Sequence, residues 1–348
     1  MINCHRCIFN IIVYDGLIMK AVFYTRTGLA KGVLKTDIFD DPKIKSDEVL
    51  LKMLYSSVNP ADTKKRSGWI SKKINHDFII PHSDGAGKVV EVGNKKNKSL
   101  LGKNFWICGG SKDQKFGSCA ELFAVKRKNI LEIPDTINAS IASCLGVPVA
   151  TAFYSLFSDK RHKEKYIFIS GGAGAVSQYA IQFAKLSGSK VITTVSSEKK
   201  EKICKNLGAD LILNYKKLNE KKIIDEVVDF TKGNLMDRCI EVDFGYNMQM
   251  LPKLLKNNGI ISSYSSSTIT SPKFPYYLYA PKGINIKIVQ AFLHDDSYLQ
   301  KIGSYVNKLL SLKKLKHPSI KTFNMKNAYK SHEFVENPGT VGKSNIKI

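Results

Sequence analysis

Short hydrophobic stretches that alternate with turns fill the first part of the chain. Residues 19–24 have a strand-like pattern, and residues 48–57 are rich in Val, Leu and Tyr. Residues 87–93 alternate apolar and polar positions between glycines, which is the two-residue period of a strand. Two further strand candidates lie at 105–108 and 120–125. Few helical patterns separate these segments, so the sequence predicts a small β-rich domain.

After about residue 146 the pattern changes to strands that alternate with helices. Short apolar runs are each followed by a segment whose apolar positions have helical spacing. The predicted strands are 166–170, 190–195, 210–215, 237–242 and 259–264, and the predicted helices are 174–186, 198–207, 219–231 and 247–256. Alternation of this kind predicts a doubly wound parallel sheet with right-handed crossovers. The expected fold class is therefore α/β.

A glycine-rich turn joins the first of these strands to the first helix. The pattern Gly172-x-Gly174-x-x-Ser177 matches the dinucleotide-binding motif, with Ser in place of the last glycine. Glycines there allow a tight turn and let backbone N–H groups approach a pyrophosphate at the helix N-terminus. The turn predicts a Rossmann-type domain in which Gly172, Gly174, Ala175 and Val176 bind the cofactor. The alternative is a plain strand–helix turn of another α/β protein.

The end of the second predicted strand indicates which dinucleotide binds. NAD-binding domains usually place Asp or Glu there to hold the ribose 2′-hydroxyl. This chain has the run Ser-Ser-Glu-Lys-Lys at 196–200, and hydroxyls and cations suit a 2′-phosphate. Glu198 lies one step into the helix and counts against this assignment, and ordinary helix-surface charge is the alternative for the lysines. The sequence predicts NADPH as the cofactor, held by Ser196, Ser197 and Lys199.

Size and composition are those of a folded chain with two domains. The 348 residues, 43% of them hydrophobic, are enough for two ordinary cores. No run of about 18 apolar residues occurs, so we expect no transmembrane helix. The net charge of +24 comes from lysines dispersed along the whole chain, which favours a solvated surface over an anionic partner such as nucleic acid. Seven widely spaced cysteines indicate a reduced compartment.

The first 18 residues read as an addition to a domain that begins at Met19. They contain a lone Cys4-x-x-Cys7 pair with His5, which is too incomplete to predict a zinc or redox site. A short apolar run at 7–14 fits a weak signal segment but lacks a clear cleavage site. A disordered extension or an over-long gene model fits equally well, and we expect the cytoplasm as the compartment.

Several ordered motifs accompany the glycine turn and carry a family resemblance. They lie at 57–62 (Ser-Val-Asn-Pro-Ala-Asp), 84–93, 117–121, 147–152 and 207–210. From Met19 to its C-terminus, the chain resembles the zinc-independent medium-chain dehydrogenase/reductases, specifically the quinone oxidoreductase (zeta-crystallin-like) group. The resemblance implies a homodimer and a GroES-like β-rich catalytic domain made of 19–145 and 285–348. A Rossmann NADPH-binding domain would occupy 146–284.

Three positions at which zinc-using relatives carry metal ligands hold other residues in this chain. Such relatives have a Cys near the position of Asn59, a His followed by Glu where this chain has Ser and Asp at 83–84, and a second Cys near Val147. His82 is one residue out of place, Cys144 lies a few residues early, and the four clustered cysteines of a structural zinc lobe are missing. A catalytic zinc needs three convergent ligands. The resemblance therefore implies a chain that works without a metal.

The resemblance also assigns catalytic and cofactor-binding roles to single residues. It places Asn59 near the nicotinamide end and the acceptor. Asp62 falls at the start of the following helix, where a helix cap is the alternative role. Tyr215 matches a tyrosine that packs near the adenosine phosphate, although a surface tyrosine at a strand end has the same pattern.

Three further cofactor contacts follow from the resemblance. Thr151 and the serine run that includes Ser263 would line the nicotinamide side. Relatives often have Arg in the C-terminal turn, where this chain has Gly-Thr-Val-Gly-Lys at 339–343. This departure removes one expected phosphate contact and leaves Lys343 as the candidate cofactor-binding residue there.

The expected activity is hydride transfer from NADPH to a quinone or a similar conjugated carbonyl, with the protein stabilising charge on the acceptor oxygen. The second hypothesis is reduction of an enone or an enoyl thioester. Related enoyl reductases have a tyrosine after the Arg-Ser-Gly turn as a proposed proton donor, and Trp69 and Ile70 in its place weaken this hypothesis. A third hypothesis, prompted by the charge, is an NADPH-sensing or RNA-binding protein with little catalysis.

Overall fold

The structure, a computed structural model, describes residues 18–110, 115–159, 164–291, 293 and 296–348. The chain divides into two compact units, the first made of Met1–Gly146 with Ile320–Ile348 and the second of Val147–Ser319. The N-terminal extension, with Cys4, His5 and Cys7, lies outside the described residues.

The first unit is built mainly of strands. These are β1 (Ile18–Phe23), β2 (Lys35–Asp40), β3 (Glu48–Val58), β4 (Asp84–Val92), β5 (Asn104–Ile107), β6 (Leu122–Lys126), β7 (Ile130–Glu132), β14 (Ile320–Asn324) and β15 (Lys343–Lys347). Its helices are α1 (Ala30–Val33), α2 (Pro60–Ser67), α3 (Ala139–Ala142) and α12 (Ala328–Glu336), with 3₁₀ turns at Lys95–Leu100, Arg127–Asn129 and Met325–Asn327. The β-rich prediction for this part agrees with these elements.

Seven strands of the first unit form one sheet in the order β14-β15-β3-β4-β5-β7, with β6 also paired to β3, while β1 and β2 form a separate pair. The C-terminal strand β15 runs antiparallel to β3, with Ser344 opposite Val58. This register puts the first residue of β15 beside the end of β3, where α2 begins.

The second unit alternates strands with helices. Its strands are β8 (Tyr166–Ile169), β9 (Lys190–Val195), β10 (Leu211–Asn214), β11 (Met236–Glu241), β12 (Leu255–Ser263) and β13 (Asn285–Ile288). Its helices are α4 (Gly146–Phe157), α5 (Ala175–Leu186), α6 (Glu198–Asn206), α7 (Glu220–Thr231), α8 (Phe244–Asn247), α9 (Leu251–Leu254), α10 (Tyr276–Tyr279) and α11 (Asp296–Ser311), with a 3₁₀ turn at Ala280–Lys282. The first residue of α4, Gly146, is counted in the first unit.

All neighbouring strands of this sheet are parallel, in the order β10-β9-β8-β11-β12-β13. In chain order that is three-two-one-four-five-six, the arrangement of a dinucleotide-binding doubly wound sheet. Phe168, Ile192, Cys239 and Ile261, from four neighbouring strands, are buried in one cluster. Strands covered on both faces are continuous apolar runs, which is why the sequence pattern predicted them. The predicted parallel sheet is confirmed.

Two boundaries differ from the sequence-based prediction. Residues 285–319, expected in the first domain, belong to the second unit because β13 pairs in parallel with β12. The predicted helix 247–256 is divided into α8 and α9, and β12 already begins at Leu255. Pro252, in the first turn of α9, has no backbone N–H and cannot continue a preceding helix.

None of the helices in the described parts of the chain combines the length and the apolar character that crossing a membrane requires.

Candidate functional site

The glycine turn between β8 and α5 is shaped by its contact with β9. Gly171 has a left-handed φ of +60°, which favours glycine. A Cβ atom on Gly172 would lie 2.2 Å from Thr193 Oγ1 and 2.8 Å from Cys204 Sγ. Only glycine therefore lets the turn pack this closely on β9, as the dinucleotide-binding motif requires.

The start of α5 offers backbone N–H groups to a ligand. First-turn amides of a helix have no acceptor within the helix. The N-cap Gly174 has no side chain to satisfy them, so the amides of Ala175 and Val176 remain available for an anion. Ser177, which replaces the last glycine of the motif, is buried and donates to the Ser170 carbonyl at 3.1 Å. The hydroxyl is thus accommodated without disturbing the turn.

A cleft of about 610 Å³ opens at the carboxyl ends of the parallel strands in the second unit. Its lining includes Gly171 after β8, Thr194 near the end of β9, Tyr215 after β10 and Asp243 after β11. Open parallel sheets bind their ligands at this edge. Of the residues that the sequence assigns to the cofactor, Tyr215 lines this cleft, and it is 45% exposed.

The predicted phosphate-binding run surrounds the start of α6. Ser197 is the N-cap, and its side chain accepts the Lys200 N–H at 3.4 Å. Lys200 Nζ in turn donates to Ser196 Oγ at 2.9 Å. Lys199 is exposed. The cation that the structure joins to the two serines is therefore Lys200, one residue beyond the lysine chosen from the sequence.

Two carboxylates that the sequence does not predict as site residues shape the same edge of the sheet. Asp243 Oδ1 accepts the N–H groups of Ser267 and Thr268 at 2.9 and 3.0 Å, which fixes the loop after β12. Glu241 is fully buried, accepts Asn247 Nδ2 at 2.9 Å, and has a pKa raised by burial. Both residues lie at the carboxyl end of a buried parallel strand, and that position is the signal by which the sequence could have found them.

Thr151 and Ser263 are buried in the second unit, in α4 and at the end of β12. The Thr151 carbonyl accepts the Ser155 hydroxyl at 2.8 Å, and Ser263 Oγ donates to the Ser265 carbonyl at 3.3 Å. Neither belongs to the lining of the 610 Å³ cleft as the described residues define it. Their assignment to the nicotinamide side stays a prediction.

A buried polar cluster in the first unit contains Asn59, Asp62, Asp84 and Lys343. Asn59 is the N-cap of α2, and its Nδ2 donates to Asp84 Oδ2 at 2.8 Å. Its backbone N–H donates to Asp62 Oδ2 at 2.8 Å, so Asp62 also has a capping role. Lys343 Nζ donates to Asn59 Oδ1 at 2.6 Å and to the Val58 carbonyl at 2.8 Å. The two predicted catalytic residues thus belong to one network, which the sequence did not connect with Lys343.

The electrostatic surroundings of Asp62 bring its titration close to neutral pH. Burial raises the pKa of Asp62 to about 7, the hydrogen bond from the Asn59 N–H lowers it, Asp84 raises it, and Lys65 and Lys343 lower it. A carboxyl group that titrates in this range can exchange a proton as an acid or a base.

Asp62 also lines a cavity of about 270 Å³ in the first unit, together with Tyr24, Ile70 and His82. Burial raises the pKa of Tyr24 to about 12, and the Asp62 charge adds to this effect. A perturbed carboxyl group beside a cavity is a candidate functional group.

The residues close to the zinc-ligand positions of relatives have other partners. The Nε2 atoms of His82 and His332 are 2.8 Å apart, and His82 Nδ1 is 2.8 Å from Ser56 Oγ. Burial lowers the pKa of His82 to about 3, so the ring is neutral. Cys144 Sγ accepts the Ser57 hydroxyl at 3.4 Å. Across the described ranges, no three His, Cys, Asp or Glu side chains are arranged to hold a metal ion.

Comparison with known families identifies both domains. Residues 45–135 match the family described as the alcohol dehydrogenase GroES-like domain, and residues 175–298 match the family described as zinc-binding dehydrogenase. The two matches together cover more than half of the chain, which belongs to the medium-chain dehydrogenase/reductase family. The predicted combination of a GroES-like domain with a Rossmann domain is confirmed.

Relatives of known activity match part of the chain. The chloroplastic NADPH-dependent alkenal/one oxidoreductase of Arabidopsis thaliana is 33% identical over 208 residues, which are 58% of this chain and 54% of that protein. The quinone oxidoreductase of Mus musculus is 32% identical over 220 residues, 63% of this chain and 64% of that protein. This chain therefore spans about half the length of the first of these relatives.

The fold is shared with solved structures along nearly the whole chain. The quinone oxidoreductase of Escherichia coli, solved as a complex with NADPH, superposes with a TM-score of 0.82 at 18% identity. The match covers 94% of this chain and 100% of that one.

Proposed function

We propose that the chain is an NADPH-dependent oxidoreductase that transfers a hydride to a quinone or a similar conjugated carbonyl. The observation that carries the proposal is the glycine turn, where Gly172 packs on β9 and uncapped amides begin α5 at the carboxyl edge of a parallel sheet. The names of the relatives, which are quinone and alkenal oxidoreductases, support the same class of reaction.

The residues of the second unit fit this cofactor. NADPH supplies the hydride when it is bound. The amides of Ala175 and Val176 would bind the pyrophosphate, and Tyr215 and Asp243, which line the cleft, would border the adenosine. In the first unit, Asn59 and Asp62 would serve the acceptor, because they combine an amide donor with a carboxyl group beside a cavity.

The 2′-phosphate would lie against Ser196, Ser197 and Lys200. We expect Lys200→Ala to raise the dissociation constant for NADPH about tenfold or more, because it removes a charge-assisted hydrogen bond, and to leave that for NADH unchanged. The matched control is Lys199→Ala, which removes an exposed lysine of the same helix. Fluorescence titration with both cofactors measures the effect. Equal affinity of the unmodified protein for NADPH and NADH would contradict the assignment, and a larger effect of Lys199→Ala would return it to Lys199.

A zinc ion does not fit the first-unit cluster. Asn59, near the position at which zinc-using relatives have a cysteine, offers a carboxamide whose oxygen already accepts from the Lys343 ammonium at 2.6 Å. A buried ammonium next to that oxygen repels a metal cation. We therefore propose a reaction without a metal.

Steady-state NADPH oxidation tests the proposed activity. With 1,4-benzoquinone or 9,10-phenanthrenequinone as acceptor, we expect turnover that depends on the protein and saturates with quinone. Rates no faster than the uncatalysed reaction with both quinones would refute the quinone reductase proposal.

Reduction of a conjugated enone is the second candidate. It is favoured by two relatives, the Arabidopsis thaliana alkenal/one oxidoreductase and the 2-methylene-furan-3-one reductase of Solanum lycopersicum, which is 32% identical over 215 residues. The missing tyrosine of enoyl reductases counts against this candidate. Trp69 and Ile70, which stand in its place, are 51% and 59% exposed. Activity on 2-alkenals or crotonyl thioesters well above that on quinones would make this the principal activity.

We also propose that the chain forms a homodimer. Strand β13 ends the sheet of the second unit, and Ile288 at its end is 72% exposed. An open apolar edge of this kind suits pairing with a second copy, which analytical ultracentrifugation would detect. The cytoplasm remains the proposed compartment.

A further inference from the structure

The position of Lys343 is unusual for a residue expected to contact a cofactor phosphate. It begins β15 and is only 4% exposed. Burying an ammonium group is costly unless hydrogen bonds and opposite charge compensate. The compensation comes from the Val58 carbonyl and Asn59 Oδ1 at 2.8 and 2.6 Å. Lys343 is therefore tied to the residue that begins α2.

The three buried groups around Asn59 permit one orientation of its carboxamide. An ammonium group donates hydrogen bonds and accepts none, whereas a carboxylate accepts and does not donate. Asn59 Oδ1 therefore faces Lys343, and Nδ2 faces Asp84 Oδ2 at 2.8 Å. A flipped amide would put its NH₂ group against the ammonium and its oxygen against the carboxylate. Both hydrogen bonds would then become repulsive contacts, so the amide stays fixed.

The same ammonium acts on Asp62 through its charge. The charged groups that influence Asp62 are Asp84 from β4, Lys343 from β15 and Lys65 from its own helix, while Tyr24 senses the Asp62 charge in return. Lys343 lowers the pKa of Asp62 and so opposes the larger effect of burial. Removing the ammonium would raise that pKa further.

We propose that Lys343 is a positioning residue. Its buried ammonium holds the Asn59 carboxamide in one orientation, and its positive charge offsets the effect of the negatively charged Asp84 on Asp62. This inference rests on the proposed function, in which Asn59 and Asp62 serve the acceptor. One Nδ2 hydrogen of Asn59 is used by Asp84. The fixed orientation leaves the second hydrogen as a donor of defined direction for a carbonyl oxygen, where reduction develops negative charge.

Lys343→Met tests the inference, because methionine keeps the length of the side chain and removes the charge. We expect the kcat for the quinone to fall about tenfold or more, because a charge-assisted hydrogen bond is lost. The KM for NADPH should stay within about twofold. The pKa seen in the pH profile of kcat should move upward, and Lys343→Arg should restore part of the activity. The matched control is Lys347→Met, which replaces an exposed lysine of the same strand. This variant should have the kinetics of the unmodified protein.

A second measurement does not depend on turnover. The Asp62 carboxyl carbon, followed by ¹³C NMR during a pH titration, should titrate at higher pH in Lys343→Met than in Lys347→Met. Failure of the unmodified protein to turn over any quinone or enone, with this shift present, would refute the proposed function and leave the positioning of Asn59 and Asp62 intact.

Two results would overturn the inference. One is an unchanged kcat together with an unchanged Asp62 titration in Lys343→Met. The other is a loss of NADPH affinity with kcat preserved, which would return Lys343 to the phosphate contact expected from the sequence. Because Lys343→Met removes a buried cation, thermal unfolding is measured beside the kinetics. If this variant does not fold, Lys343→Gln carries the test. Glutamine keeps a hydrogen-bond donor but removes the charge, and kcat and Asp62 titration equal to the unmodified protein would then overturn the proposal.

Discussion

Replacing Arg238 with methionine should lower the free energy of unfolding by about 3 to 5 kcal/mol. Arg238 lies in β11 and is fully buried. Its Nε donates to Glu164 Oε2 at 2.8 Å, and Nη2 donates to Asp159 Oδ2 at 2.5 Å. Nη1 donates to the Ser155 carbonyl at 2.9 Å and to Ser262 Oγ at 2.8 Å. Methionine has no donor for these acceptors and leaves two acidic groups without their cation.

The loss should also depend on pH. Burial raises the pKa of Glu164, and Arg238 lowers it. Without Arg238 this pKa rises further above its unfolded value, so the folded variant gains a proton, and with it stability, as the pH falls through the raised pKa. The destabilisation should therefore be smaller in mildly acidic buffer than in mildly alkaline buffer. Adding Glu164→Gln to Arg238→Met should restore part of the loss, because it removes the uncompensated carboxylate.

Urea denaturation followed by circular dichroism measures these differences. The control is Lys253→Met, which breaks the exposed ion pair with Glu220 at 2.7 Å and should cost less than about 1 kcal/mol. An Arg238→Met variant that unfolds like this control would show that the buried network contributes no net stability.

Arg238 illustrates which interactions the sequence pattern cannot predict. A charged residue within an apolar run gives no indication of its partners, and Glu164 is 74 residues away along the chain. Lys343 is a similar case. The resemblance implies a phosphate contact for Lys343. Only the antiparallel pairing of β15 with β3, which the local sequence does not reveal, brings it to Asn59, 284 residues away. Local patterns contain no information on such long-range pairings, which decide whether a lysine is buried.

The second unit was more predictable, because its central strands are covered on both faces and so form apolar runs. The exception is β13, the short edge strand Asn285–Ile288, of which three of four residues are exposed. Without burial on both faces it has no continuous apolar pattern, and residues 285–319 were accordingly assigned to the wrong side of the boundary. The sequence predicts Lys199 rather than Lys200 for the phosphate, because sequence alone does not show which of two adjacent lysines turns back toward Ser196.

Gly172→Ala should abolish tight NADPH binding, with a dissociation constant raised about a hundredfold or more, which corresponds to about 2.7 kcal/mol. The added Cβ would lie 2.2 Å from Thr193 Oγ1, and that hydroxyl cannot easily move, because it is buried and donates to the Ile169 carbonyl at 2.6 Å. The turn must therefore move away from β9. The amides of the turn would then no longer point together at a pyrophosphate. Overpacking of this kind should also lower the free energy of unfolding by about 1 to 3 kcal/mol.

Two alanine controls separate the clash from a general effect of replacing glycine. A Cβ on Gly174 would come no closer than 3.3 Å to the Gly171 carbonyl, so Gly174→Ala should leave the turn in place and weaken binding only as far as its methyl group obstructs the pyrophosphate. A Cβ on Gly32, in α1, meets nothing within 4 Å, and Gly32→Ala should bind like the unmodified protein. Fluorescence titration with NADPH ranks the three variants.

If the clash with Thr193 is the cause, removing that side chain should rescue binding. Thr193→Ala removes Oγ1 and Cγ2, two of the three atoms nearest to the new Cβ, and leaves Cys204 Sγ at 2.8 Å. The double variant Gly172→Ala with Thr193→Ala should therefore regain part of the affinity that the single variant loses, because the turn can return toward β9. No recovery in a double variant that folds would mean that the close packing on Thr193 does not explain the glycine. The requirement for Gly172 would then lie in the approach of the ligand to the backbone, since a methyl group there would obstruct the pyrophosphate whatever room β9 provides.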